Sequence, residues 1–113
     1  MVTMGLLPSA VGFLRSDISG LNQPRDELRI LAAAKRTGHD LRKTIVFSEH
    51  TEDRVHRLRV AIARLDVDTV IVPSTEHFDD HTIPEELLEV ATVITVSPGN
   101  TWARIPRLTS EAP

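Results

Sequence analysis

The chain has 113 residues, 41% of them hydrophobic and 26% charged, with a formal net charge of −3; these are values of a soluble globular domain with one core. It contains no cysteine, which excludes disulfides, thiolate chemistry and cysteine-based zinc sites. Tyrosine is absent and aromatics make up 4%, so base stacking has little to work with, and the negative charge argues against a dedicated duplex-DNA binder while leaving a local basic patch open.

In chain order, residues 10–15 form an apolar run that ends in Arg15-Ser16-Asp17-Ile18-Ser19-Gly20, the pattern of a buried parallel strand feeding a polar loop. Pro24 suits the first position of a helix that runs to about residue 37 and stops at Gly38, with Leu28, Leu31 and Ala32 expected on one face. Residues 41–47 read as a second strand. Thr51 is the expected N-cap of a second helix, with Glu52 and Asp53 in its first turn. Val55, Leu58, Ile62 and Leu65 recur at helical spacing along it, opposite Arg54, Arg57 and Arg64. A third strand over 68–73 leads into a polar loop, Ser74-Thr75-Glu76-His77-Phe78-Asp79-Asp80-His81. Pro84 opens a short helix with Leu87, Leu88 and Val90 inward, and 92–96 form a fourth strand. Residues 97–113 contain three prolines and no periodicity, and are expected to be an extended, partly disordered tail.

Strands alternating with helices imply parallel pairing through right-handed crossovers. The expected fold class is therefore α/β, a three-layer α/β/α sandwich in one domain. Its four-stranded, mostly parallel sheet takes the order 2-1-3-4, with the first strand and its loop at the switch point where such sheets hold their sites.

With the Arg15 and Glu76-His77 loops placed, the pattern resembles the N-terminal catalytic domain of the serine recombinases, the resolvase/invertase family. That family's first strand ends in Gly-Tyr-x-Arg-x-Ser; the corresponding stretch here is Gly12-Phe13-Leu14-Arg15-Ser16-Asp17. The resemblance spans about residues 11–96 and implies a resolvase-like fold. In the family the Ser attacks DNA and the Arg activates it. Arg15 matches, but Asp17 stands at the nucleophile's place and Ser16 is displaced by one residue, a shift that turns a side chain to the other face of a strand. Glu76 replaces a family Asp, and His77 and Asp80 replace arginines. Phosphodiester transfer needs fixed cations around the phosphate, so the resemblance comes with its catalytic set removed. The family's long dimerisation helix has no counterpart after Val96.

Other features carry two readings. Ser16 or Ser19 is a nucleophile candidate, yet Ser beside Asp and Gly is ordinary turn chemistry. His77 and His81 are four apart, as metal ligands on a helix would be, but a solvated loop fits better and no metal or other cofactor is expected. Arg54, Arg57 and Arg64 form a stripe that suits an acidic partner or a solvated helix face. Trp102 either packs back on the sheet edge or anchors a homodimer or partner contact.

The resulting expectation is a non-catalytic interaction or regulatory module, with a protein partner or homodimer favoured over nucleic acid by the net charge. The alternatives are a small hydrolase or phosphoryl-handling enzyme rebuilt on Arg15, Asp17, Glu76 and His77, and an accessory DNA-binding protein. No apolar stretch approaches the ~18 residues of a transmembrane helix. The N-terminal residues lack the pattern of a signal peptide, so no membrane association and a cytoplasmic location are expected.

Overall fold

Strand β1 (Ser9–Arg15) is the spine of the fold, and Ala10 to Leu14 are all buried along it. A strand buried on both faces must sit between other strands and under helices. The computed structural model describes residues 7–106, and shows β1 flanked by β2 (Asp40–Phe47) on one side and β3 (Thr69–Val72) on the other, both parallel to it. Next to β3 lies β4 (Thr92–Thr95), also parallel. A fifth strand, β5 (Asn100–Trp102), closes the order β2-β1-β3-β4-β5.

β5 corrects the expectation of a four-stranded sheet with an unstructured tail. It runs antiparallel to β4, setting Asn100 opposite Thr95, Thr101 opposite Ile94 and Trp102 opposite Val93. The turn between them is built by one side chain. The Thr95 hydroxyl donates to the Pro98 carbonyl at 2.6 Å and accepts from the Asn100 amide at 3.3 Å. A buried threonine is thereby satisfied, and a three-residue strand too short to show a period in sequence acquires its register. Trp102 packs, half-buried, against the core beside β4. The stretch 107–113 lies outside the described residues.

The period of two along each strand divides the apolar side chains between the two faces of the sheet. On one face Val11, Phe13, Val70, Val72 and Val93 meet Leu58 and Ile62 of helix α3 (Arg54–Leu65) and Leu87 of the short helix α4 (Glu85–Leu88). On the other, Ala10, Leu14, Ile71 and Ile94 meet Ile30, Ala33 and Ala34 of helix α2 (Gln23–Arg36). A single helical turn, α1 (Ser16–Ser19), and a 3-10 turn link β1 to α2.

Helix α2 turns the face of Leu28, Leu31 and Ala32 away from the sheet. Leu28 and Leu31 are 67% and 39% exposed and Ala32 is exposed, while Ile30, Ala33 and Ala34 are buried. The reason is close approach. Gly12 of β1 has no Cβ, and one built there would stand 2.7 Å from the Ile30 Cγ2 and 2.8 Å from the Thr44 Oγ1. A helix seated this near the sheet places alanines against it, and leucines would hold it off.

Helix α3 also starts later than expected. Asp53 is the N-cap, in the left-handed region at φ 52°, without a side-chain capping bond. Thr51 closes the preceding loop instead, its hydroxyl accepting from the Ser48 amide at 3.0 Å. At the other end Asp66 terminates the helix in the same left-handed region, φ 56°, a conformation aspartate tolerates better than most residues. Among the described residues no helix is long and apolar enough to cross a membrane.

Candidate functional site

The crossover leaving β1 runs through α1 and α2 to β2, and the rest of the chain builds on β1's other side, so the switch point lies between β1 and β3. In open α/β sheets this is the crevice where ligands collect. Strand β1 pairs with β3 only through Val11 and Gly12, whereas its pairing with β2 continues to Arg15. The carboxyl end of β1 therefore has an open edge. His77 fills it: the Arg15 amide donates to the His77 Nδ1 at 2.9 Å.

That bond defines the chemistry of His77. An imidazole accepting at Nδ1 carries its proton on Nε2, so the ring is neutral and its lone pair is already engaged. Burial, ahead of any neighbouring charge, lowers its pKa below the ordinary value of 6.5, against the opposing pull of Asp26 and Glu76. His77 and the adjacent Phe78 are 3% and 5% exposed. The loop expected to be solvated is in fact two 3-10 turns, Thr75–His77 and Asp79–His81, whose middle is pressed into the core. Phe78 stacks on Phe13, and Phe47 meets Phe13 edge-on.

A pH dependence follows. Because the folded state depresses the His77 pKa, the unfolded chain binds the additional proton. The His77 contribution to stability is thus complete above pH 6.5 and is lost as pH falls through the folded-state value. Protonation at Nδ1 would also remove the acceptor for the Arg15 amide. The expected result is a urea midpoint that falls between neutral and mildly acidic pH in wild type, with a shallower fall in His77→Gln. Parallel pH profiles for the two proteins would contradict the neutral, engaged state of the ring.

The Arg15 side chain is equally committed. Its Nε and Nη2 donate to the two oxygens of Asp17 at 3.1 and 2.6 Å, and its Nη1 reaches the Asp79 Oδ1 at 3.3 Å. The hydrogen bonds from Arg15 hold the Asp17 carboxyl below its ordinary pKa, and the same bonds raise that of the guanidinium. The fork geometry is the strong form of the ion pair. Asp79 Oδ1 is shared with Arg54, whose Nη2 donates at 2.8 Å, while Arg54 Nη1 reaches the carbonyls of Ser48, Glu49 and Thr51 at 3.1–3.4 Å. Two cations and two carboxylates thus form one continuous chain of ion pairs across the ends of β1, α3 and the β3 loop.

Of the residues selected from the sequence, the structure brings together Arg15, Asp17, Arg54 and His77. Glu76 is exposed and takes no part in the network; its amide bonds to the Ser74 hydroxyl at 3.2 Å. Ser16 begins the α1 turn, half-buried. Ser19 is 5% exposed, and its hydroxyl donates to the Asp26 Oδ2 at 2.7 Å, tying α1 to the start of α2.

The arginine stripe divides: Arg54 turns into the network, while Arg57 and Arg64 stay on the exposed side of α3. Arg57 Nε caps the Glu52 carbonyl at 2.8 Å. Trp102, on the distant β5 edge, belongs to neither group. Asp79 is the carboxylate that joins Arg15 to Arg54. Nothing local in sequence marks it, because its partners lie 64 and 25 residues away.

Beside the network a cleft of about 500 Å³ opens between α3, α4 and the 3-10 turns. Phe13, Leu58 and Phe78 form its apolar wall, and Arg54, Arg59 and Glu86 stand among its polar lining. Among the described residues no group of three or more His, Asp or Glu side chains is placed to hold a metal ion. Comparison of the chain with known protein families, curated proteins and solved structures finds no match.

Proposed function

We propose that this chain is a non-catalytic interaction or regulatory module built on a resolvase-like fold, with the recombinase chemistry lost. The observation that carries this reading is the internal saturation of the switch-point groups. The Arg15 fork is taken by Asp17 and Asp79, and the His77 lone pair by the Arg15 amide. A site for phosphoryl or acyl transfer needs cations or donors aimed at the substrate and a base with an available lone pair. Here both are turned toward protein.

The resolvase-like part of the proposal is supported by Gly12-Phe13-Leu14-Arg15 at the end of the central strand and by β2, β1, β3 and β4 following one another in the sheet. The network then acts as a clamp on the loop ends, holding the switch-point face in one shape for a partner. A hydrolase rebuilt on Arg15, Asp17, Glu76 and His77 is less well supported, since Glu76 stands outside the group.

The discriminating experiment is a turnover assay with p-nitrophenyl phosphate, bis(p-nitrophenyl) phosphate, p-nitrophenyl acetate and supercoiled DNA, comparing wild type with Arg15→Ala and Asp17→Ala. The expected result is no turnover in wild type that either substitution removes. Turnover in wild type that disappears in both variants would establish an enzyme and overturn the module reading.

A further inference from the structure

Helix α2 is apolar on two sides. Its inner side, Ile30, Ala33 and Ala34, is consumed by the sheet. Its outer side carries Leu28, Leu31 and Ala32, and the turn leading into it carries Leu21, which is fully exposed. At 100° per residue Leu28 and Ala32 point directly away from the buried side, with Leu31 on one flank. An amphipathic helix on a finished surface would be polar there. A row of exposed leucines on a helix whose other side is already packed marks a surface built for a second contact.

The charges around this row identify what covers it. Arg25, Arg29, Lys35 and Arg36 are all exposed on α2. The helix's two acids are withdrawn from them: Asp26 is engaged by the Ser19 hydroxyl, and Glu27 accepts from the Gln23 amide group at 2.9 Å. The outer side is therefore cationic and apolar on a chain whose net charge is −3.

A second copy does not fit. Antiparallel packing would set Arg25 and Arg29 against the other copy's Lys35 and Arg36, and parallel packing would set like against like. An anionic bilayer would repel the acidic remainder of the chain and would gain only two leucines and an alanine from the helix. Nucleic acid would leave the leucines unused. A partner helix uses everything present: Ala32 beside Leu28 leaves a notch for an incoming side chain, and the flanking cations meet acidic residues on either side of its apolar row.

We propose that the outer side of α2, centred on Leu28, Leu31 and Ala32 and flanked by Arg25, Arg29, Lys35 and Arg36, docks an acidic amphipathic helix of a protein partner. This rests on the reading of the chain as an interaction module and names the kind of partner it takes. The contact is a helix–helix seam about four turns long, with i, i+3, i+4 and i+7 anchors from the partner.

The test is selection, on the immobilised full chain, from a displayed library of helical peptides about 18 residues long. These keep leucine at i, i+3, i+4 and i+7 and vary the remaining positions among Glu, Gln, Lys and Ala. The expected outcome is enrichment of glutamate beside the leucine row. The best peptide should lose at least about tenfold in affinity on Leu28→Ser/Leu31→Ser and on Arg25→Glu/Arg29→Glu. Both pairs are at exposed positions, and circular dichroism confirms that the variants remain folded.

Absence of enrichment, enrichment of lysine, or equal binding to the Leu28→Ser/Leu31→Ser variant would overturn the proposal. So would tighter binding to phosphatidylserine vesicles or duplex DNA than to the peptides, or self-association that the same leucine substitutions abolish. A negative selection together with absent turnover removes only this docking surface. Turnover sensitive to Arg15→Ala would remove the module reading itself.

Discussion

Phe13→Ala is expected to lower the free energy of unfolding by about 3–5 kcal/mol, read as a shift of the urea midpoint at unchanged slope. Phe13 is 2% exposed at the centre of the α3-side core. Its ring lies 5.5 Å from that of Phe78 in a stacked arrangement and 5.7 Å from that of Phe47 at an interplanar angle of 67°. Removing it takes away the transfer free energy of the ring and both aromatic contacts, and leaves a void that the flanking strands are too rigid to close. Small domains are stable by only about 5–15 kcal/mol, so this single change consumes a large share of the total. Phe78 also anchors the turns that bring His77 and Asp79 to Arg15, so the loss extends to the switch point. Chemical shifts of the Arg15 and His77 amides should move even in the fraction that stays folded. A cost below about 1 kcal/mol with these shifts unchanged would mean that the aromatic trio does not hold the loop.

The second large effect is expected at Gly12. Gly12→Ala introduces a Cβ within 2.7 Å of the Ile30 Cγ2 and 2.8 Å of the Thr44 Oγ1, distances that force α2 or β2 to move. Overpacking of this kind costs about 1–3 kcal/mol, and Gly12→Val should exceed it. The cause can be isolated, because Ile30→Ala removes the methyl that collides. Ile30→Ala alone leaves a cavity and costs about 2–5 kcal/mol. In the double variant the new Cβ occupies part of the space vacated, so the two effects should sum to more than the measured loss, by about 0.5–3 kcal/mol. Strict additivity would show that Gly12 is required for a reason other than the approach of α2. Gly12 is thus the residue that lets the helix sit against the sheet.

The Arg15 cluster and the α2 face illustrate two different ways in which reading the chain locally succeeds or stops short. Arg15 and Asp17 could be placed at the end of a strand because strand and turn are short-range patterns, and the side chains are two residues apart. What they do there depends on Asp79 and Arg54, and the state of His77 depends on an amide 62 residues away. For α2 the difficulty was of another kind. Leu28, Leu31 and Ala32 share one side of a helix, as do Ile30, Ala33 and Ala34, and periodicity offers no ground for preferring the smaller set. The preference comes from Gly12 across the interface, whose missing Cβ leaves the space that Ile30 fills.

Positions and types of β1 to β4 and of the long helices were legible in the amino-acid sequence, because apolar period, proline at helix starts and Gly38 at a helix end act over a few residues. The order 2-1-3-4 expected for these strands, which puts the end of β1 at a switch point, is also the order in which they lie. Only the tertiary structure decided that 100–102 would add an antiparallel strand, that His77 and Phe78 would be buried, and that Arg15 and Arg54 would both reach the Asp79 carboxylate. It also decided which side of α2 would remain exposed. Apart from the local β4–β5 hairpin, each of these outcomes is a contact between residues distant in sequence, whose free energy comes from close packing and from charge pairing in a partly desolvated space. Neither quantity exists until the chain has brought the two surfaces together.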